Sequence, residues 1–272
     1  KNKPYIYVIN SPLWRYFSEN NKSLKFFYTF FLYPFLLRIS IYFSFYTVSN
    51  SKYVRNLIID RYPSQKSKIK CVYNGIDFKR FENIKLSKFK NDSPVFLCIS
   101  TINFRQKTNG VVFVINCFIK LAQMFPKSKL ILSLKCSNNE HFNFLKKKIK
   151  NSGAEKKIII YKNYKNLENL YKRSNIFLFA TPEESTDSLP RVLIEAQSTG
   201  IPTIATKTVG CPEVLFNLNQ QPFYSEKDFL KIMILTVKNY SDFKEMGLIN
   251  RDKFFKKFGW ATMAKNYIKL FN

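Results

Sequence analysis

The sequence predicts an α/β fold, and from Val95 onward a doubly wound parallel sheet. Short β-type apolar runs alternate there with helix-length segments, the pattern of βαβ units whose sheet is covered on both faces. The chain has 272 residues, 46% hydrophobic and 17% aromatic, which is ample for packed cores and excludes a disordered segment. Glycine is scarce, with 7 residues, which argues against collagen-like or glycine-linker architectures.

Tyr5–Ile9 (YIYVI) is a short β-type run. A Phe-rich helical segment follows within Phe26–Val48, and Ser44–Val48 is a second strand. Before Arg38 the longest charge-free stretch there is 12 residues with Pro34 inside it. A spanning helix needs about 20 apolar residues, so a buried or interface-lying helix is expected. Ser49-Asn50-Ser51 caps a helix running to about Arg61, which Pro63 stops. Ile69–Tyr73 is a third strand, closed by the turn Asn74-Gly75. The polar run Lys85–Asp92 leads into Asp92-Ser93-Pro94, the best linker in the chain.

Beyond the linker, strands are expected at Val95–Ser100, Leu130–Leu134, Lys157–Tyr161, Ile176–Ala180 and Pro202–Thr206. Helices are expected at Gly110–Phe125, Asn138–Ser152, Leu167–Arg173 and Pro190–Thr199. The Lys-rich run Lys146-Lys147-Lys148 reads as a solvated helix face.

The net charge of +27 suggests a polyanion partner. Of the basic residues, however, 36 are Lys and 9 are Arg, whereas base reading relies on bidentate Arg. A wealth of Asn, Ile, Phe and Tyr fits a drift toward AT-rich codons, so no specific nucleic acid is expected. Peripheral contact with an anionic membrane fits the same charge. The five cysteines are odd in number, widely spaced and free of any C-x-x-C pair, which fits reduced, buried thiols in a cytoplasmic protein.

In doubly wound sheets a ligand sits outside the carboxyl ends of the strands, near helix N-termini. Two strand ends carry unusual chemistry. In Ser100–Gly110, Arg105 and Lys107 precede a helix and suit a diphosphate; the plainer alternative is two ordinary loop cations. In Thr181–Gly200, Glu183, Glu184, Ser185 and Asp187 lie ahead of a helix with Pro190 near its first position, where acids also serve as caps. Glu195 follows Arg191 by four residues, the spacing of a surface ion pair. Its neighbours Val192, Leu193, Ile194 and Ala196 are apolar, which points instead to an acid held for a ligand.

The segment Ser185–Pro202 (STDSLPRVLIEAQSTGIP) resembles the donor-site signature of retaining glycosyltransferases of the GT-B fold, glycosyltransferase group 1, family 4-like. The pattern is an acid, seven residues, Glu-Ala, then a small-x-Gly-x-Pro turn: here Asp187, Glu195, Ala196, Gly200 and Pro202. Val72–Asp77 (VYNGID) with Phe81, Gln106–Gly110 and Val209–Val214 (VGCPEV) resemble further family segments, in order. The resemblance implies one complete Rossmann-like C-terminal domain, residues 93–255. It also implies the later half of an acceptor-side N-terminal domain, residues 1–92, and a C-terminal helix, 256–272, crossing back to it. Two complete domains of this type need more than 272 residues, so the start of the N-terminal domain is expected to be missing, and Lys1 is not a natural start.

The implied activity is transfer of a sugar, with retention, from a nucleoside-diphosphate sugar of UDP or GDP type to a glycan or lipid-linked acceptor. Glu195 would accept hydrogen bonds from the ribose hydroxyls, and Lys107 with Arg105 would neutralise the departing diphosphate. Asp187 would face the donor sugar or its phosphate. Ser188, Leu189, Pro190, Arg191 and Thr101 complete the expected donor-binding set. No cofactor and no metal are implied, and no Asp-x-Asp pair is present. Several residues depart from the pattern: Asp187 replaces the usual Glu, Pro190 a common Gly, and Thr101 a common basic residue. The stretch Ile9-Asn10-Ser11 lacks the His often found near the reacting sugar. The alternative expectation is a donor-binding but inactive unit or partner subunit. The lone histidine, His141, reads as a surface residue, and Trp14, Trp260, Phe258 and Tyr267 as packing residues.

Overall fold

The computed structural model describes residues 6–10, 32–137, 139–185, 187–215 and 221–272. The expectations for Tyr5, Trp14 and the Phe26–Phe31 part of the Phe-rich segment lie outside the described residues.

The first unit holds β1 (Ile6–Ile9), α1 (Tyr33–Phe43), β2 (Tyr46–Ser49), α2 (Lys52–Arg61) and β3 (Ile69–Cys71). The strands form a parallel sheet in the order β1-β2-β3. Pro34 lies in the first turn of α1, where its missing N–H removes no helical bond. Leu37 and Ile41, one turn apart, bury against Ile9, Val54, Ile58 and Ile69. The other side of α1 leaves Phe35, Leu36, Ile39, Tyr42 and Phe43 open to solvent. No described helix is long and apolar enough to cross a membrane. Ser51 is the expected cap of α2, its hydroxyl accepting from Val54 N at 3.1 Å.

The connector after β3 folds Phe81 and Ile84 into the core of the second unit. That unit is a parallel sheet in the order β6-β5-β4-β7-β8, from β4 (Val95–Thr101), β5 (Lys129–Lys135), β6 (Ile158–Lys162), β7 (Ile176–Phe179) and β8 (Thr203–Ala205). Side chains alternate between its two cores. Phe96, Cys98, Leu130, Leu132 and Leu178 face α3 (Arg105–Met124), α4 (Glu140–Asn151) and α7 (Glu226–Lys238). Leu97, Ile99, Ile131, Phe177 and Phe179 face α5 (Leu167–Lys172), α6 (Arg191–Ser198) and α8 (Tyr240–Phe258). All five cysteines are unpaired. Burial pushes the Cys71 thiol up to about 11 and those of Cys98 and Cys117 to about 12, so these three are poor nucleophiles.

The structure corrects three boundaries. Helix α3 begins at Arg105, not at Gly110, because Thr108 N already donates to Phe104 O at 3.0 Å. Arg105 and Lys107 therefore occupy the first turn of the helix rather than the loop before it. The expected C-terminal helix 256–272 is two pieces: α8 ends at Phe258, and after Gly259, extended at φ −74°, ψ 150°, α9 runs over Trp260–Ile268. Phe258 is buried, but Trp260 is 57% exposed and so is no core residue. Helices α7 and most of α8 were not expected; α8 buries only Tyr240, Phe254 and Phe258 and reads as polar sequence.

Gly110 sits where α3 crosses the end of β7, and a Cβ there would lie 2.1 Å from Ala180 O. Gly110→Ala should force the helix off the sheet at a cost of about 1–3 kcal/mol. A thermal unfolding curve should show Tm lowered by roughly 2–10 °C.

Candidate functional site

Strand β4 lies between β5 and β7, and the chain leaves β4 and β7 toward opposite faces of the sheet. The crevice outside their carboxyl ends is the switch point of this topology. It opens into a cleft of about 650 Å³ lined by Thr101, Lys107, Asp187, Leu189, Pro190, Arg191 and Glu195, all expected from sequence. Arg80, Ser133, Lys135, Asn163, Tyr164 and Lys165 also line it.

Lys107, on the first turn of α3, meets Asp187, from the loop after β7, in an ion pair of 2.7 Å. The pair is largely buried, with side-chain exposures of 27% and 11%. The second carboxylate oxygen of Asp187 accepts from the hydroxyls of Thr181 at 3.2 Å and Ser185 at 3.3 Å. Asp187 is thus fixed from two sides, by Lys107 on one oxygen and by the hydroxyls of its own loop on the other. A ligand bearing more negative charge than one carboxylate competes for that ammonium group.

Helix α6 points its N-terminus at the same cleft. Pro190 is its N-cap, not its first helical residue. Leu193 N already bonds Pro190 O at 3.0 Å, so the N–H groups of Arg191 and Val192 are the first-turn donors without a partner among the described residues. Glu195 lies one turn further along. Its carboxylate has no hydrogen-bond or ion-pair partner among the described residues. Burial raises its pKa above the usual 4.5, with Arg191 and then Arg80 opposing the shift and Glu168 adding to it.

Two expected residues lie elsewhere. Arg105 is exposed and does not line the cleft. Ser188 is buried, and its hydroxyl donates to Asn10 O at 2.5 Å and accepts from Asn50 Nδ2 at 3.1 Å. It joins the two units and does not line the cleft. Sequence reasoning missed Arg80, which leaves the connector to pair with Glu168 at 2.6 Å, and the loop Asn163–Lys165 after β6. The rule that placed Lys107 at the end of β4 applies equally to the ends of β5 and β6, and would have found Lys135 and that loop. His141 is half-buried in α4, outside the cleft.

The model of the family "Glycosyl transferases group 1" matches residues 79–239. The chain belongs to this family. Spore coat protein SA of Bacillus subtilis (strain 168) is 22% identical over 245 residues, covering 82% of this chain and 64% of that protein. A probable sucrose-phosphate synthase of Thermosipho melanesiensis is 24% identical over 254 residues, 88% of this chain and 58% of that protein. The chain thus spans 64% and 58% of the lengths of these two curated relatives. Among solved structures, Anabaena HepE in complex with UDP and glucose superimposes with a TM-score of 0.76 at 15% identity, over 98% of this chain and 71% of that one. Sucrose-phosphate synthase from Thermosynechococcus elongatus gives 0.76 at 13% identity, over 100% of this chain and 68% of that one. The fold is therefore that of the GT-B glycosyltransferases.

The raised pKa of Glu195 sets an expectation for stability. A folded state that holds a proton more tightly than the unfolded chain loses that advantage as pH rises through the folded pKa. Glu195→Gln cannot ionise and should raise Tm at pH 7, with a difference that vanishes near pH 4. Calorimetric melts at both pH values check the sign.

Proposed function

We propose that this chain acts in sugar transfer from a nucleoside-diphosphate sugar of UDP or GDP type to a glycan or lipid-linked acceptor, with retention at the anomeric carbon and no metal requirement. The observation that carries this reading is the Lys107–Asp187 pair at the sheet's switch point, with the unpartnered Glu195 in the same cleft.

Two carboxylate oxygens at Glu195 match the two ribose hydroxyls as acceptors. Lys107 exchanges Asp187 for the diphosphate, and the free N–H groups of Arg191 and Val192 face the same negative charge. When the sugar–phosphate C–O bond breaks, its electron pair leaves on the diphosphate, where fixed cations and helix-end dipoles stabilise the growing charge. Asp187, freed of Lys107, then faces the sugar. A UDP donor is favoured by the likeness to HepE, whose structure holds UDP. Retention is supported by the Asp187…Glu195 signature, and metal independence by the cations already aimed at the phosphate position.

A second reading, a donor-binding partner subunit without turnover of its own, is favoured by Asn10. It stands where a His is common, and its carbonyl is occupied by Asn50 and Ser188. Donor hydrolysis or transfer by this chain alone decides against it.

Isothermal titration with UDP, GDP and ADP tests the site. Lys107→Ala and Glu195→Ala should each weaken the preferred nucleotide about 10- to 100-fold, the range for losing a charge-assisted hydrogen bond. Equal binding by all three proteins would remove the reading. Transfer that survives EDTA supports the metal-free mechanism, and transfer abolished by EDTA and restored by a divalent cation overturns it.

Peripheral contact with an anionic membrane at its cytoplasmic side belongs to the same proposal. The open face of α1 joins Phe35, Tyr42 and Phe43 to Arg38, in a chain of net charge +27. Sedimentation with vesicles containing about one-third phosphatidylglycerol should retain the protein at low salt, each Lys or Arg near the surface adding on the order of 1 kcal/mol. Phe35→Ser with Phe43→Ser should release it.

A further inference from the structure

The two units meet through an acid that neither the Lys107–Asp187 pair nor the cleft uses. Glu213 sits in a short 3-10 turn, Cys211–Val214, of the second unit. Its carboxylate reaches α2 of the first unit, accepting from Lys52 N at 2.7 Å and Tyr53 N at 2.5 Å. Every N–H of the first turn of α2 is then accounted for. Val54 N goes to the Ser51 hydroxyl and Arg55 N to Ser51 O, both within the unit; the other two go to Glu213. A negative charge at the positive end of the helix dipole strengthens both bonds. Burial and this carboxylate together push the hydroxyl of Tyr73, in the connector just after β3, upward in pKa.

The turn that carries Glu213 is itself locked to the cleft. Gly210 N donates to Asp187 O at 3.2 Å. Gly210 lies so close beneath this loop that a Cβ there would stand 1.8 Å from Ser188 O. Gln197 of α6 bonds Val214 O, holding the far end of the turn. On the Glu213 side, Lys257 Nζ donates to Glu213 O at 2.7 Å. A rigid path therefore runs from the N-terminus of α2, through Glu213 and Gly210, to the backbone of Asp187.

We infer that Glu213 is a positioning residue: by capping α2 across the interface it seats the first unit on the Asp187 loop and fixes the Lys107–Asp187 geometry. The clamp stands on these hydrogen bonds, while its effect on turnover rests on the transfer reading above.

Amide hydrogen exchange tests the clamp without any substrate. Glu213→Gln keeps the shape but loses the charge and one acceptor, and should speed exchange at Lys52 and Tyr53 about tenfold while leaving Val54 protected. Unchanged rates at these two amides would overturn the clamp. Coupling is reciprocal, so Asp187→Asn, which touches neither amide, should also speed their exchange, by about threefold. If only Glu213→Gln does so, the residue is a local cap and the positioning role is overturned.

Where wild-type transfer is measurable, Glu213→Gln should lower kcat at least about tenfold, with donor affinity within about twofold, since Glu213 lies outside the cleft. Glu213→Asp should restore part of the loss. Parallel losses of kcat and affinity would overturn the positioning role. Absence of wild-type transfer would remove the transfer reading and leave the exchange result standing.

Discussion

The placement of β4 between β5 and β7 is the constraint on which the rest depends. Because the chain departs from β4 and β7 toward opposite faces, the carboxyl ends of these strands cannot be covered by the helices that follow them. Into that uncovered crevice the first turn of α3 brings an ammonium group and the loop after β7 a carboxylate. Neither is held by its own segment alone: Lys107 is oriented by the acid, and the acid by Lys107 together with Thr181 and Ser185 of its own loop. The pair keeps both charges satisfied within the crevice.

Much of this fold is legible in sequence because a parallel sheet covered on both faces leaves no ambiguity of face. Val95–Ser100, Leu130–Leu134 and Ile176–Ala180 are apolar but for Ser100 and Ser133, and each is a strand within a residue or two. Boundaries fail where the physics is tertiary. Arg105-Gln106-Lys107 looks like a polar loop, yet the strand-to-helix turn is complete by Phe104. Helix α8 shows no strong apolar stripe, since only three of its residues reach the core, and no sequence period announces it.

The candidate site was half legible for a related reason. Lys107, Asp187 and Glu195 lie in a compact signature and share the cleft. Ser188 belongs to the same signature but bonds two asparagines from the first unit, Asn10 through its carbonyl and Asn50 through its side chain. Nothing in its local sequence reveals a partner at that separation. Arg80 is invisible for the same reason: its place in the cleft follows from the path of the connector, not from its neighbours. In so basic a chain the informative residues are the acids, which are few and lie at the ion pair, in the cleft at Glu195 and at the interface.

The main chain bonds to itself where the connector after β3 passes the break between α8 and α9. These passages lie against each other: Ile76 N donates to Phe258 O at 2.9 Å, Ile76 bridges Gly259 in parallel, and Gly75 N donates to Met263 Sδ at 3.2 Å. Backbone bonding thus joins these two passages directly. Among the described residues, the contacts at Asn50 and Glu213 are made through side chains instead. The first junction is therefore largely beyond the reach of side-chain substitution, and the second is open to it.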